Sequence, residues 1–149
     1  MVKNVAILGA TGSIGTHALE VIEKHPDQFA VWGLTSHTRI ERCCTMISKY
    51  GPKAVAVSSG MMSGVSEFLG DSLGSVTLLK GDQGINDIAS ADEVDIVVAG
   101  IAGAAGFAST VAAIKAGKKV LIANKEPLVM LGSFLRELVA ESGAQIVPI

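Results

Sequence analysis

Gly9-Ala10-Thr11-Gly12-Ser13-Ile14-Gly15 spaces three glycines three residues apart, directly behind the apolar run Val5-Ala6-Ile7-Leu8. The chemistry open to such a segment is anion binding by backbone amides. Gly9 permits a sharp turn off a strand, and Gly12 lets the main chain approach a pyrophosphate with no Cβ in the way. Gly15 lets the following helix pack closely on the sheet. The unpaired amides and the positive dipole end of that helix can then hold phosphate oxygens, with Thr11 and Ser13 as hydroxyl donors. Glycines at this spacing also mark ordinary tight turns, so a purely structural turn is the alternative.

A second group of polar residues closes the next apolar run: Gly33-Leu34-Thr35-Ser36-His37-Thr38-Arg39. A site that prefers NAD carries Asp or Glu here, to accept from a ribose 2′-hydroxyl. This segment has no acid. Arg39 can pair with a 2′-phosphate, and Ser36, His37 and Thr38 can donate hydrogen bonds to it, which favours NADPH. The alternative is that Arg39 and Arg42 form a solvated helix start. A third group, Asn124-Lys125-Glu126-Pro127, follows the apolar run Val120-Leu121-Ile122-Ala123. Polar residues at the carboxyl end of a buried strand lie where open α/β sheets bind ligands. Lys125 can meet an anionic substrate or polarise a carbonyl, and Asn124 and Glu126 can bond a ribose. A capped helix with exposed charges is the competing reading, since Asn is a favoured cap.

The elements that must position these groups alternate along the chain. Strands are predicted at 5–8, 29–34, 53–57, 76–79, 95–99, 120–123 and 145–147. Helices are predicted at 13–24, 39–49, 64–69, from Gln83, at 107–116 and at 128–142, with a variable connection between Ser58 and Gly74. Pro26 stops the first helix. The alternation predicts an α/β fold of the Rossmann type, doubly wound on a mostly parallel sheet with right-handed crossovers. The 149 residues suit one domain over 1–149.

Composition narrows the partners. A net charge of -2 and 4% aromatic residues give neither a basic field for nucleic acid nor surfaces for stacking bases. Cys43 and Cys44 are adjacent, point in different directions on a helix, and read as small apolar side chains rather than a disulfide. No cysteine–histidine spacing resembles a zinc site, and Asp92, Glu93 and Asp95 read as a surface loop. No secretory signal is read at the start. Ile96 to Ile114 carries no charge but is broken by Gly100-Ile101-Ala102-Gly103, so it reads as strand, turn and small-residue helix rather than a membrane span.

Three segments together resemble the 1-deoxy-D-xylulose 5-phosphate reductoisomerase family: Gly9 to Gly15, Ala99-Gly100-Ile101-Ala102-Gly103-Ala104-Ala105-Gly106, and Lys118-Lys119-Val120-Leu121-Ile122-Ala123-Asn124-Lys125-Glu126. The resemblance runs through essentially the whole chain in order. It implies an NADPH-dependent conversion of 1-deoxy-D-xylulose 5-phosphate to 2-C-methyl-D-erythritol 4-phosphate, in non-mevalonate isoprenoid synthesis. It implies that Thr11, Gly12, Ser13 and Ile14 hold the pyrophosphate, that His37, Thr38 and Arg39 face the 2′-phosphate, and that Asn124 and Glu126 contact cofactor. Lys125 would contact substrate, and the Gly100–Gly103 stretch would pass near the nicotinamide. The resemblance further implies a divalent metal, magnesium or manganese, whose acidic ligands lie beyond Pro148, and a cytoplasmic homodimer for the intact enzyme. By the same resemblance, residues 1–149 are the amino-terminal NADPH-binding domain of a longer reductase whose catalytic and carboxyl-terminal domains lie outside this chain, and no catalytic residue and no metal ligand is expected within the 149 residues. Rival readings are another reductase with a Gly-x-Thr-Gly loop, of the aspartate-semialdehyde or homoserine dehydrogenase type, and a regulatory module that senses NAD(P).

Overall fold

The structure, a computed structural model, describes residues 1–123, 128–129 and 132–149. Strand β1 (Lys3–Leu8) leads into helix α1 (Ser13–Lys24), followed by β2 (Phe29–Ser36), α2 (Ile40–Tyr50) and β3 (Ala54–Val57). Helix α3 (Met62–Leu69) lies between two short 3-10 turns and precedes β4 (Thr77–Lys80) and α4 (Gly81–Ser90). The chain continues through β5 (Ile96–Ala99), α5 (Gly103–Lys115), β6 (Lys119–Ile122), α6 (Gly132–Ser142) and β7 (Gln145–Pro148).

All strand pairs are parallel, in the order β4-β3-β2-β1-β5-β6-β7. The chain builds outward from β1 to one edge, then returns and builds from β5 to the other. Right-handed crossovers in opposite directions must put their helices on opposite faces. The core divides accordingly. Val5, Ile7, Leu34, Val55 and Val57 pack with residues of α1, α2 and α3, whereas Ala6, Leu8, Val97, Val120 and Ile122 pack with residues of α4, α5 and α6. Adjacent residues of β1 therefore serve different cores, which is why the strand reads as an unbroken apolar run.

The break in strand order falls between β1 and β5. Their carboxyl ends, and the turns that follow, lie side by side at the switch point where doubly wound sheets take ligands. The expectation of a Rossmann-type sheet holds, with every strand parallel.

Local boundaries differ in an instructive way. The helix expected from Phe107 begins at Gly103, because low glycine propensity masks a first turn made of small residues. Strand β2 runs two residues past Leu34 and carries Thr35 and Ser36 into the sheet, both buried. The connection between Ser58 and Gly74 contains α3, anchored by buried Met61, Val65 and Leu69. Cys43 and Cys44 are free and lie on the buried face of α2. The uncharged stretch resolves into β5 and α5, and among the described residues no helix is long and apolar enough to cross a membrane.

Candidate functional site

The turn after β1 is fixed by β2. Pairing slips by one residue between Val5 and Ala6, so Ile7 aligns with Leu34 and the next residue, Thr35, reaches the turn. Its hydroxyl accepts the Gly9 N–H at 2.8 Å and its carbonyl accepts the Ala10 N–H at 2.9 Å. Gly9 takes φ +79°, a conformation in which a Cβ would be strained. The turn then closes on itself through Gly12 N–H to the Gly9 carbonyl at 3.1 Å. Thr35 is a site residue that sequence reasoning passed over; two polar residues ending an otherwise apolar strand were the signal available.

Gly12 caps α1 in extended geometry and has no side chain to satisfy the first turn. The amides of Ser13, Ile14 and Gly15 therefore have no helical carbonyl before them. Gly12 and Ser13 are exposed and Ile14 is half-buried. Thr11 is turned inward, its hydroxyl 3.3 Å from that of Ser36. The loop thus offers backbone donors outward and keeps its Thr11 hydroxyl for internal bonding.

Arg39 reaches back from the start of α2 and donates through Nη1 to the Thr11 carbonyl at 3.0 Å. This joins the candidate 2′-phosphate group to the candidate pyrophosphate loop across 28 residues of sequence. His37, Thr38 and Arg39 are exposed, and the His37 carbonyl accepts from Ser58 Oγ at 2.8 Å. Among the described residues neither Arg39 nor Arg42 has a carboxylate within ion-pair distance, the one such pair being Lys49 with Glu23. A guanidinium offers five N–H donors, and the Thr11 bond uses one of them.

The turn after β5 lies against this loop. Gly100 N–H donates to the Leu8 carbonyl at 3.0 Å, and a Cβ on Gly100 would come within 2.8 Å of that same oxygen. A Cβ on Gly9 would in turn stand 2.9 Å from the Gly100 carbonyl. The two glycine turns can approach only because neither carries a side chain. Their helices repeat the arrangement: a Cβ on Gly15 would collide with the Gly9 carbonyl, and one on Gly106 with the Ile101 carbonyl.

Other grooves lie away from these turns. One of about 430 Å³ lies on the α1 side of the sheet, lined mostly by aliphatic side chains such as Val21, Ile96 and Leu121, and offers few partners to a nucleotide. Asp95 is structural: its carboxylate accepts the Asn4 N–H at 2.8 Å, while the Glu93 carbonyl accepts from the Asn4 side chain at 2.9 Å. Among the described residues no three His, Cys, Asp or Glu side chains group as metal ligands. Asn124, Lys125 and Glu126 lie outside the described residues.

The family model for 1-deoxy-D-xylulose 5-phosphate reductoisomerase matches residues 5–132. The protein of that description from Pseudomonas fluorescens is 43% identical over 149 residues, covering 99% of this chain and 38% of the relative. One from Psychrobacter is 40% identical, covering 100% and 36% respectively. A crystal structure of DOX-P reductoisomerase with NADPH, fosmidomycin and magnesium superposes with TM-score 0.92 at 39% identity, covering 99% of this chain and 36% of that one. The Zymomonas mobilis reductoisomerase in complex with NADPH gives 0.91 at 32% identity, covering 99% and 38%. A homoserine dehydrogenase from S. aureus, at 20% identity and TM-score 0.62, shares the fold alone. The chain spans little more than a third of the length of the curated relatives it matches.

Proposed function

Because this chain belongs to the 1-deoxy-D-xylulose 5-phosphate reductoisomerase family, we propose that it is the part of such an enzyme that binds NADPH and presents its hydride. The observation that carries this reading is the bond from Arg39 to the Thr11 carbonyl. It sets a guanidinium beside a loop of unpaired amides, at a strand end with no acid to favour a free 2′-hydroxyl. NADPH, when bound, supplies the hydride for reduction. The chain's own residues bind and orient: Gly12, Ser13 and Ile14 through amides, Thr11 as the loop's internal anchor, and His37, Thr38 and Arg39 toward the 2′-phosphate. Asn124 and Glu126 toward cofactor and Lys125 toward substrate belong to the same reading.

The whole protein then converts 1-deoxy-D-xylulose 5-phosphate to 2-C-methyl-D-erythritol 4-phosphate, as a homodimer in the family's manner. Its divalent metal is held by residues outside those described here, which offer no fitting ligand group. Two free, buried thiols suit a reducing cytoplasm.

The test is a calorimetric titration with NADPH and NADH. The wild-type chain is expected to prefer NADPH. Arg39→Ala should weaken NADPH roughly 10–100-fold, the range for losing hydrogen bonds to a charged group, and NADH far less. Equal affinity for both nucleotides in the wild type would count against the 2′-phosphate site.

A further inference from the structure

Arg42 is a cation beside the phosphate loop to which the cofactor reading gives no task. Its Nη2 donates to Thr16 Oγ1 at 3.2 Å, from α2 to α1. The Thr16 hydroxyl in turn donates to the Gly12 carbonyl at 2.7 Å, and the Thr16 amide donates to the same oxygen at 2.9 Å. That carbonyl and the Ser13 N–H belong to one planar peptide unit, so fixing the direction of one fixes the other. A donor on the Thr16 hydroxyl also polarises it, which strengthens the bond it gives.

We propose that Arg42 is a positioning residue for the phosphate loop: through the Thr16 hydroxyl it locks the Gly12–Ser13 peptide so that the Ser13 amide points at a bound pyrophosphate. The proposal rests on the nucleotide reading of this loop and deepens it. Arg39 and Arg42 are three residues apart, and they secure consecutive peptide carbonyls of the loop, Thr11 directly and Gly12 by relay. Their tasks differ. Arg39 stands at the start of α2, just past the end of β2, where a 2′-phosphate distinguishes NADPH from NADH. Arg42 acts on a pyrophosphate contact that both nucleotides share. Loss of Arg42 should cost affinity for both and leave the preference intact.

The rival account is that Arg42 merely ties two helices together. Those helices are also joined by Lys49 Nζ to Glu23 Oε1 at 2.7 Å, which supplies a control far from the loop. The experiment measures NADPH and NADH dissociation constants for the wild-type chain, Arg42→Ala, Thr16→Val, the double variant and Glu23→Gln. It also follows the Ser13 amide resonance without nucleotide. Arg42→Ala and Thr16→Val are each expected to weaken both nucleotides about tenfold, the scale of one hydrogen bond to a charged group. The NADPH/NADH ratio should stay unchanged and the Ser13 amide should shift. The double variant should be no weaker than Thr16→Val alone, because both break one relay. Glu23→Gln should bind as wild type.

Three results would overturn the proposal: wild-type affinity in Arg42→Ala, a loss confined to NADPH, or an equal loss in Glu23→Gln. Failure of the wild-type chain to bind either nucleotide would instead sink the cofactor reading, and this inference with it.

Discussion

At Gly15 the residue type is set by atoms of the turn that precedes it. A Cβ there would collide with the Gly9 carbonyl and the Ala10 backbone, neither of which can rotate away as a side-chain tip can. Gly15→Ala should therefore push the turn off the helix, at a cost of about 1–3 kcal/mol for an overpacked site. In a domain of this size that is a fall of roughly 3–10 °C in melting temperature. Gly60 has open space around its would-be Cβ and no positive φ, so Gly60→Ala should melt as the wild type does. Circular dichroism melts of the two variants check the pair, and an unchanged Gly15→Ala would refute the packing argument. The glycine spacing was legible in the sequence because each glycine has a separate steric reason. The Arg42–Thr16–Gly12 relay was not, since it joins two helices 26 residues apart and leaves no periodic trace. Thr35 was hidden likewise: its task depends on a one-residue slip in strand pairing.

At the scale of the element, α2 serves both the core and the site. Cys43, Cys44 and Ile47 form its buried face, while at its start Arg39 reaches the Thr11 carbonyl of the loop and Arg42 reaches Thr16 of α1. Burial pushes the Cys43 thiol up to about 11 from its ordinary 9.0, helped by neighbouring Cys44 and opposed by a hydrogen bond with Ser36. Burial also raises Cys44. Between pH 9 and about 11 the unfolded chain has lost the Cys43 proton while the folded chain keeps it. The unfolded state then binds fewer protons, so this group's contribution to stability is complete below pH 9 and declines as pH rises to 11. Denaturant titrations across that range should show a shallower decline for Cys43→Ala than for the wild type. At pH 8 both thiols should resist an aromatic disulfide reagent until the chain unfolds. The adjacency of the cysteines argued against a disulfide from sequence alone, and both are free. That both are buried was less legible, because neighbours on a helix normally diverge and only the overlap of α2 with β2 and α3 covers the pair.

At the scale of the molecule, the sheet order puts the turns after β1 and β5 together and, among the described residues, leaves the α1 side of β5 and β6 open, with Ile96 and Leu121 half-buried in the aliphatic groove. The alternation of strands and helices made the first property readable. The second was not, because Ile96–Ala99 and Lys119–Ile122 have the same apolar pattern as strands covered on both faces. The candidate site at the switch point is built from two turns and two helix starts within the described residues, on the reading that these turns hold the cofactor's phosphates. NADPH should therefore stabilise this polypeptide by mass action. At a hundred times the dissociation constant the gain is about 2.7 kcal/mol, which raises the melting temperature by roughly 5–10 °C. A nucleotide that only joined the unfolded chain would lower it. The same samples, given 1-deoxy-D-xylulose 5-phosphate and magnesium, should leave the 340 nm absorbance of NADPH constant, because the chain corresponds to only 36–38% of the relatives' length. A melting shift without NADPH consumption would support separate cofactor binding and chemistry within the family-length protein. Consumption by these 149 residues would place catalytic groups inside the chain and overturn that division.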